Sequence, residues 1–120
     1  MGTLAALFAP PGIAPALGAP ASDAAAAARE RDQGRELLAQ YQCGACHVIP
    51  GVAAARGGVG PSLAGFGRRS YIAGTPPNQP ATLVRWLVAP ASLVPGTPMP
   101  SLGVGKADAQ AMAAYLASLR

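Results

Sequence analysis

Five consecutive residues, Cys43-Gly44-Ala45-Cys46-His47, carry the strongest chemical signal in this sequence. The spacing C-x-x-C-H is the attachment signature of a c-type haem. Two thiols at this spacing can each add across one vinyl group of a haem, and the imidazole that follows them is placed to bind the iron. The pentapeptide therefore predicts one covalently bound haem c, with Cys43 and Cys46 as tethers and His47 as an iron ligand.

Thiol redox chemistry and zinc binding are the alternatives for the same residues. A disulfide or a thioredoxin-like redox pair at Cys43 and Cys46 is expected on a βαβ background, and the chain has no run of β-branched residues to build such a sheet. A zinc site normally needs four nitrogen or sulfur ligands. The chain contains two cysteines and one histidine in total, so haem attachment is the preferred interpretation.

A methionine is the usual second axial ligand in haem electron carriers, and the chain offers Met1, Met99 and Met112. Met112 lies on the apolar stripe of a predicted helix, where core packing is expected. Met1 lies in an N-terminal segment that processing can remove. Met99 lies in Pro95-Gly96-Thr97-Pro98-Met99-Pro100, where the flanking prolines restrict the backbone and pre-organise the thioether. The second predicted iron ligand is therefore Met99.

Composition is consistent with a small helical domain built around a cofactor. A chain of 120 residues corresponds to one domain, and with only 5% aromatic residues the side chains alone would make a thin core. The 15 glycines and 13 prolines predict short helices joined by long loops. The fold is therefore predicted to be all-α, with glycine-rich residues 49–67 as loop.

The chain is predicted to divide at about Ala28 into an N-terminal segment, residues 1–28, and a folded domain, residues 29–120. The segment contains one charged side chain, Asp23, and four prolines. Its apolar start and the tripeptide Ala19-Pro20-Ala21 are similar to the hydrophobic part and cleavage region of a secretory signal peptide, although no Lys or Arg precedes them. A proline-rich linker and a membrane anchor are the alternatives, and the prolines argue against a spanning helix.

Three helices are predicted from residue propensity and periodicity. The first covers Asp32 to Tyr41 and runs into the haem motif. The second has Asn78 as its cap and Pro80 in its first turn, and it ends at Ala89. The third covers Lys106 to Leu119. The apolar residues that these helices present on one face are Leu37, Leu38, Tyr41, Leu83, Trp86, Leu87, Met112, Tyr115, Leu116 and Leu119.

With these motifs in this order, the chain resembles the class I (mitochondrial-type) cytochromes c over about Arg29 to Arg120. It is especially similar to small bacterial mono-haem cytochromes that accompany respiratory oxidases, including domains fused to oxidase copper subunits. The resemblance rests on a short helix entering C-x-x-C-H, a mid-chain helix, and three further segments: Gly60-Pro61-Ser62-Leu63, Gly96-Thr97-Pro98-Met99-Pro100 and a closing Ala113-Ala114-Tyr115-Leu116.

The resemblance implies the cytochrome c fold, with three to five short helices and long loops wrapped around one covalently bound haem. It implies that the carbonyl of Pro61 accepts the Nδ1–H of His47, and that the first and last helices cross near Gly34 and Tyr115. At Gly105 many relatives have Thr or Ser as the cap of the last helix. The cofactor-binding residues that it implies are Cys43, Cys46, His47, Pro61, Leu63, Met99 and, around the haem propionates, Arg69, Tyr71 and Trp86.

The charge distribution predicts an acidic redox partner. The net charge is +4, and no acidic residue occurs between Glu36 and Asp108, whereas five basic residues do. One of them, Arg69, is expected to neutralise a propionate, and the others to form a positive rim that steers an acidic oxidase or reductase subunit to the haem edge. Nucleic-acid binding is not supported, because the arginines are sparse and not interleaved with aromatic residues.

These features predict an electron carrier that transfers one electron at a time by an outer-sphere mechanism, in a bacterial respiratory chain. It is not predicted to be an enzyme or to bind a small-molecule substrate, since its only imidazole is committed to the iron. One alternative is a haem-bearing structural or assembly subunit of a membrane oxidase complex, with residues 1–28 as a docking arm. The other is a haem-based sensor or peroxidase-like enzyme, should Met99 not bind iron. The resemblance implies the periplasm, or the periplasmic face of the inner membrane, because haem attachment to this motif in bacteria occurs outside the cytoplasm.

Overall fold

The computed structural model describes residues 2, 6–7, 11–12 and 19–120. Over these residues the chain forms four α-helices, named α1 to α4: Ala19–Gln40, Pro80–Val88, Pro90–Leu93 and Lys106–Ser118. Two short 3-10 helices occur at Cys43–Ala45 and Phe66–Arg68. The described residues form isolated β-bridges but no strand, so the all-α prediction is confirmed. The apolar start of the predicted signal segment falls largely outside the described residues.

Helix α1 begins at Ala19, well before Asp32, where the sequence predicted its start. The run Ala24–Ala28 explains the difference, because alanine is the strongest helix former. The side chains of residues 22–27 are exposed, so this part of α1 is held by its own backbone hydrogen bonds and not by tertiary packing. The helix passes through Ala28, and the division of the chain there stays a prediction. None of the described helices is long and apolar enough to cross a membrane.

Helix α2 has Pro80 in its first turn and ends before Pro90, as predicted. The prediction of Asn78 as its cap is wrong: Gln79 occupies that position and makes no capping hydrogen bond through its side chain. The Asn78 side-chain amide donates instead to the carbonyls of Phe66, at 3.1 Å, and Arg69, at 3.0 Å. An amide offers two N–H donors, and here both are taken by the preceding loop. The short helix α3, which follows α2 directly, was not predicted.

Helices α1, α2 and α4 enclose the core, and α1 crosses α4 where Gly34 meets the backbone of Ala111. The crossing near Gly34 is therefore confirmed. Tyr115 lies one turn further along α4, and its hydroxyl donates to the Pro50 carbonyl in the loop after the haem motif. The predicted helix faces are buried at Leu37, Leu38, Leu83, Trp86, Leu87, Met112 and Leu116, with Tyr41, Tyr115 and Leu119 partly buried.

Candidate haem-attachment site

The C-x-x-C-H motif forms a tight turn at the end of α1. Gln42 adopts a left-handed conformation, with φ of 58°, and reverses the chain into the 3-10 helix Cys43–Ala45. The amide groups of Cys46 and His47 both donate to the carbonyl of Cys43, at 3.2 and 3.0 Å. This turn holds the two cysteines and the histidine within one short hydrogen-bonded segment. Both cysteines are free thiols and both are half-buried.

The loop of residues 51–57 packs directly against this turn. The amide of Gly57 donates to the carbonyl of Gly44 at 3.0 Å. A Cβ on Gly44 would lie 2.5 Å from the Cα of Ala55, and a Cβ on Gly57 would overlap the carbonyl oxygen of Ala45. The two glycines therefore permit a backbone-to-backbone contact that no other residue would allow. This contact braces the motif against the loop that follows it.

The imidazole of His47 is oriented by the segment that begins at Gly60. Its Nδ1–H donates to the carbonyl of Pro61 at 2.7 Å. Since a carbonyl oxygen can only accept, Nδ1 carries the proton, and Nε2 keeps its lone pair for a metal. A Cβ on Gly60 would overlap Cε1 of the ring and lie 2.8 Å from Nδ1. The backbone of Gly60 therefore forms a wall against one side of the imidazole, and its amide donates to the carbonyl of Cys46 at 2.8 Å.

Leu63 closes the same segment. Its side chain is buried in the core, and its amide donates to the carbonyl of Val48 at 2.8 Å. Val48 also pairs with Arg56 in an isolated antiparallel bridge. Gly60 and Leu63, on either side of Pro61, are thus both hydrogen-bonded to the haem-motif segment, which holds the Pro61 carbonyl in place beside Nδ1 of the ring.

Met99 lies in a loop that is anchored at several points. Gly96 has a positive φ of 78°, and the amide of Thr97 donates to the carbonyl of Val94 at 3.1 Å. The Thr97 hydroxyl accepts from the Met99 amide at 3.3 Å, and the Ser101 hydroxyl donates to the carbonyl of Val88 at 3.2 Å. The Met99 side chain is half-buried and packs against the hydrophobic core. Met112, by contrast, is fully buried in α4, as expected of a core residue.

Arg69 is held close to the histidine-supporting segment. Its guanidinium donates to the carbonyl of Ser62, the residue after Pro61, and lies 5.4 Å from the centre of the Phe66 ring, within the range of a cation–π contact. The backbone carbonyls of Phe66 and Arg69 are the two acceptors of Asn78. Asn78 was missed as a site residue, because the sequence signal of an Asn two positions before a proline is that of a helix start.

Tyr71 and Trp86 are the other two predicted propionate contacts, and their environments differ. Tyr71 is 59% exposed and pairs with Pro77 in an isolated bridge at the base of a tight turn. Trp86 is 8% exposed and lies in the core beside Leu83 and Leu87 on α2. The structure therefore places one at the surface and the other inside, and their contacts with the cofactor stay predictions.

Burial affects the chemistry of the first cysteine. Removal from water raises the pKa of the Cys43 thiol above its ordinary value, and the neighbouring Cys46 adds to the rise.

The residues present fit a haem held by two thioether bonds. Two free thiols, an imidazole with Nε2 available and a thioether in an anchored loop are the donors that such a cofactor needs. No group of three or more His, Cys, Asp or Glu side chains that could hold a metal ion occurs among the described residues.

The fold and this site together define the class of small all-α domains built around a C-x-x-C-H turn. The chain belongs to the cytochrome c family, whose profile, described as Cytochrome c, matches residues 31–120. Proteins of this family are electron carriers that bind haem and are generally not enzymes.

Two relatives extend this result. The cytochrome c oxidase subunit 2 of Alkalihalophilus pseudofirmus is 36% identical over 90 residues, which cover 74% of this chain and 25% of that protein. The chain therefore spans about a quarter of that relative's length. The cytochrome c2 iso-2 of Magnetospirillum fulvum is 39% identical over 90 residues, covering 64% of this chain and 91% of that protein. No solved structure was found to match the chain.

Proposed function

We propose that this chain carries electrons through a single haem c that is attached to Cys43 and Cys46 and ligated by His47 and Met99. The observation that carries the proposal is the 2.7 Å hydrogen bond from His47 Nδ1–H to the Pro61 carbonyl. It selects the tautomer that binds metal through Nε2, and it strengthens the imidazole as a ligand. When bound, the haem supplies a one-electron couple between ferric and ferrous iron.

The other residues of the site orient and insulate the cofactor. The braced turn at Cys43–Ala45 holds the two thiols at a fixed spacing, and the anchored loop keeps the Met99 thioether from moving between redox states. Leu63 and Trp86 contribute apolar surface that excludes water. Arg69 supplies a positive charge for a propionate, and Tyr71 a hydroxyl. Little rearrangement accompanies electron transfer in so constrained a site, which is what an outer-sphere carrier requires.

Two methionine-to-leucine substitutions test the ligand assignment. Leucine matches methionine in volume but has no sulfur. The protein is matured with a cytochrome c assembly system, and its haem is expected to survive acid–acetone extraction because it is covalently bound. The near-infrared band from sulfur-to-iron charge transfer should be present in the wild type and in Met112→Leu, and lost in Met99→Leu. A band that persists in Met99→Leu would overturn the assignment of Met99.

A respiratory oxidase is the proposed acceptor. The similarity to an oxidase subunit 2 supports this choice, as does the basic character of the chain between Glu36 and Asp108. A cytochrome that works with such an oxidase belongs in the periplasm or at the periplasmic face of the inner membrane. The proposal predicts that the reduced protein is oxidised by membranes of its own organism, at a rate that falls as ionic strength rises.

A haem-bearing subunit of an oxidase complex is the second candidate, and the same relative favours it, because the matched region is about a quarter of a longer oxidase polypeptide. Deletion of residues 1–18 leaves α1 intact, and this variant distinguishes a free carrier from a subunit of an oxidase complex. A free carrier without these residues should still exchange electrons with the membranes, whereas a subunit that docks through them should no longer co-purify with the complex. Spontaneous carbon monoxide binding by the wild type would instead favour the sensor alternative, since it requires a displaceable sixth ligand.

A further inference from the structure

A groove of about 1200 Å³ runs between α2 and α4, and its lining includes Asn78 but none of the residues predicted to bind the haem. Cys43, Cys46, His47 and Met99 are all absent from its lining. A protein bound there would leave the haem-attachment turn accessible. Two of the basic residues that the sequence assigned to a positive rim around the haem edge, Arg85 and Lys106, line this groove.

The floor of the groove is apolar and made of small side chains. Val84 and Val88 of α2 and Ala114 of α4 are half-buried, and Ala117 is exposed. Small-molecule sites are typically about 300–1000 Å³ with polar groups that converge on the ligand. This groove is larger and open to solvent, and its lining holds no aromatic residue. A floor of valine and alanine between two helices is the form of surface that accepts the apolar face of a third helix.

The rim of the groove is basic. Arg85, Lys106 and Arg120 line it together with a single acidic residue, Glu30, and all four are exposed. Four of the five acidic residues of the chain lie on α1, so α2 and α4 contribute little negative charge. Asp108 of α4 accepts a hydrogen bond from Tyr41 and does not line the groove. The rim is therefore complementary to a partner that is acidic along both edges of an apolar stripe.

We propose that the groove between α2 and α4 is a second docking surface, which binds an acidic amphipathic helix of a protein partner. Helix α2 is about 13 Å long and α4 about 20 Å, so the site holds about two to three turns of the partner helix. Residues 1–18 of this chain are a poor match, because they contain no acidic side chain. The assignment goes beyond the proposed electron transfer, since docking here involves no ligand of the haem.

A synthetic peptide tests the charge and the place of binding together. The probe is about 14 residues long, with leucine and alanine on one face and glutamate on the other, and the control peptide has lysine in place of every glutamate. Binding to the reduced, ¹⁵N-labelled holoprotein is followed by amide chemical shifts. The glutamate peptide should shift the amide resonances of Val84, Val88, Ala114 and Ala117 but not that of His47. The lysine peptide should not bind.

Two charge reversals of equal size complete the test. Lys106→Glu removes a rim cation and should keep the protein folded, because an acidic residue in the first turn of α4 is favourable. It should weaken peptide binding about five-fold, the upper range for one exposed ion pair. Arg56→Glu changes the net charge equally outside the groove and should leave binding unchanged. Shifts centred on His47, equal losses in both variants or binding of both peptides would overturn the proposal, and the comparison of the two variants and the two peptides does not depend on whether Met99 binds iron.

Discussion

Gly34 of α1 lies against the carbonyl group of Ala111 in α4, and this contact sets the separation of the two helices. A Cβ at Gly34 would overlap both the carbonyl oxygen and the carbonyl carbon of Ala111, and would come within 3.0 Å of the Met112 nitrogen. These are backbone atoms, so no rotamer change can relieve the overlap. Since the haem turn follows α1 directly, the closeness of this crossing also determines where Cys43 lies relative to α4.

The substitution Gly34→Ala should therefore destabilise the protein, although helix propensity alone predicts that alanine would stabilise it. Alanine is favoured over glycine in a helix by about 1 kcal/mol, but overpacking costs about 1–3 kcal/mol or more, and here the crossing must open. We expect a net loss of about 2 kcal/mol in the free energy of unfolding of the holoprotein, measured in urea by the fluorescence of Trp86. Gly58→Ala is the control, because a Cβ there has no heavy atom within 4 Å. Equal losses in both variants would contradict this account.

Much of the candidate site could be proposed from local spacing, because haem attachment demands that spacing. The C-x-x-C-H pentapeptide identifies three residues without any tertiary information, and the carbonyl of Pro61 followed from the resemblance. Asn78 could not be found in this way. Its position before Pro80 is a valid local signal for a helix start, but the Phe66 and Arg69 carbonyls that it binds come from a loop about ten residues earlier. Only the folded loop brings those acceptors within reach of the amide.

Helix boundaries, too, could be predicted from the sequence only in part. The last helix was predicted within one residue of Lys106–Ser118, because its apolar residues follow the helical period. The start of α1 was missed, because the polyalanine run has no apolar period to read and was assigned to the preceding segment. Propensity alone, summed over Ala24–Ala28, was the signal that could have found it.

Gly60 should be required for correct histidine ligation. A Cβ there would overlap Cε1 of His47, so Gly60→Ala should turn the ring and lengthen its hydrogen bond to Pro61. The haem should still attach, because both thiols remain, but its reduction potential should change as the imidazole becomes a weaker ligand. The potential is measured by spectroelectrochemistry, and attachment by the pyridine haemochrome spectrum. The nearby Gly58→Ala should keep the wild-type potential, and an unchanged potential in Gly60→Ala would refute the orienting role.

A strained residue at the tip of the loop after Arg69 offers a route to higher stability. Ala73 and Gly74 both have positive φ, 48° and 85°, and the amide of Thr75 donates to the carbonyl of Ile72 at 3.2 Å. This is the conformation of a type I′ turn, in which Asn-Gly is favoured. Ala73→Asn should therefore raise the free energy of unfolding by about 0.5–1 kcal/mol, since alanine is strained there.

The neighbouring Gly74→Ala supplies the opposite change in the same turn. A Cβ on Gly74 would meet no atom within 4 Å, so any loss reports backbone strain alone. We expect a loss of about 1 kcal/mol, measured by urea unfolding of the holoprotein as for the other variants. If Ala73→Asn and Gly74→Ala changed the free energy of unfolding in the same direction, the turn conformation would not control stability at this position.

Tyr41 and Asp108 connect the end of α1 to the first turn of α4. The Tyr41 hydroxyl donates to the Asp108 carboxylate at 2.7 Å. This hydrogen bond, together with burial and the negative charge of Asp108, raises the pKa of Tyr41 above its ordinary value of about 10. The folded protein therefore keeps the phenol proton at higher pH than the unfolded chain does. The resulting stabilisation is complete below about pH 10 and is lost as the pH rises through the raised pKa.

This linkage predicts a pH-dependent difference between the wild type and Tyr41→Phe. At neutral pH the variant should melt at a lower temperature, because Asp108 loses its donor, and the gap should narrow as the pH rises above the raised pKa of Tyr41. Asp108→Asn is the second variant, and it should move the pKa of Tyr41 back towards its usual range, because the carboxylate is the main cause of the rise. The ¹³C resonance of the labelled Tyr41 ring, followed against pH, measures that pKa directly. A pKa that is the same in Asp108→Asn as in the wild type would mean that burial, and not the carboxylate, keeps the phenol protonated.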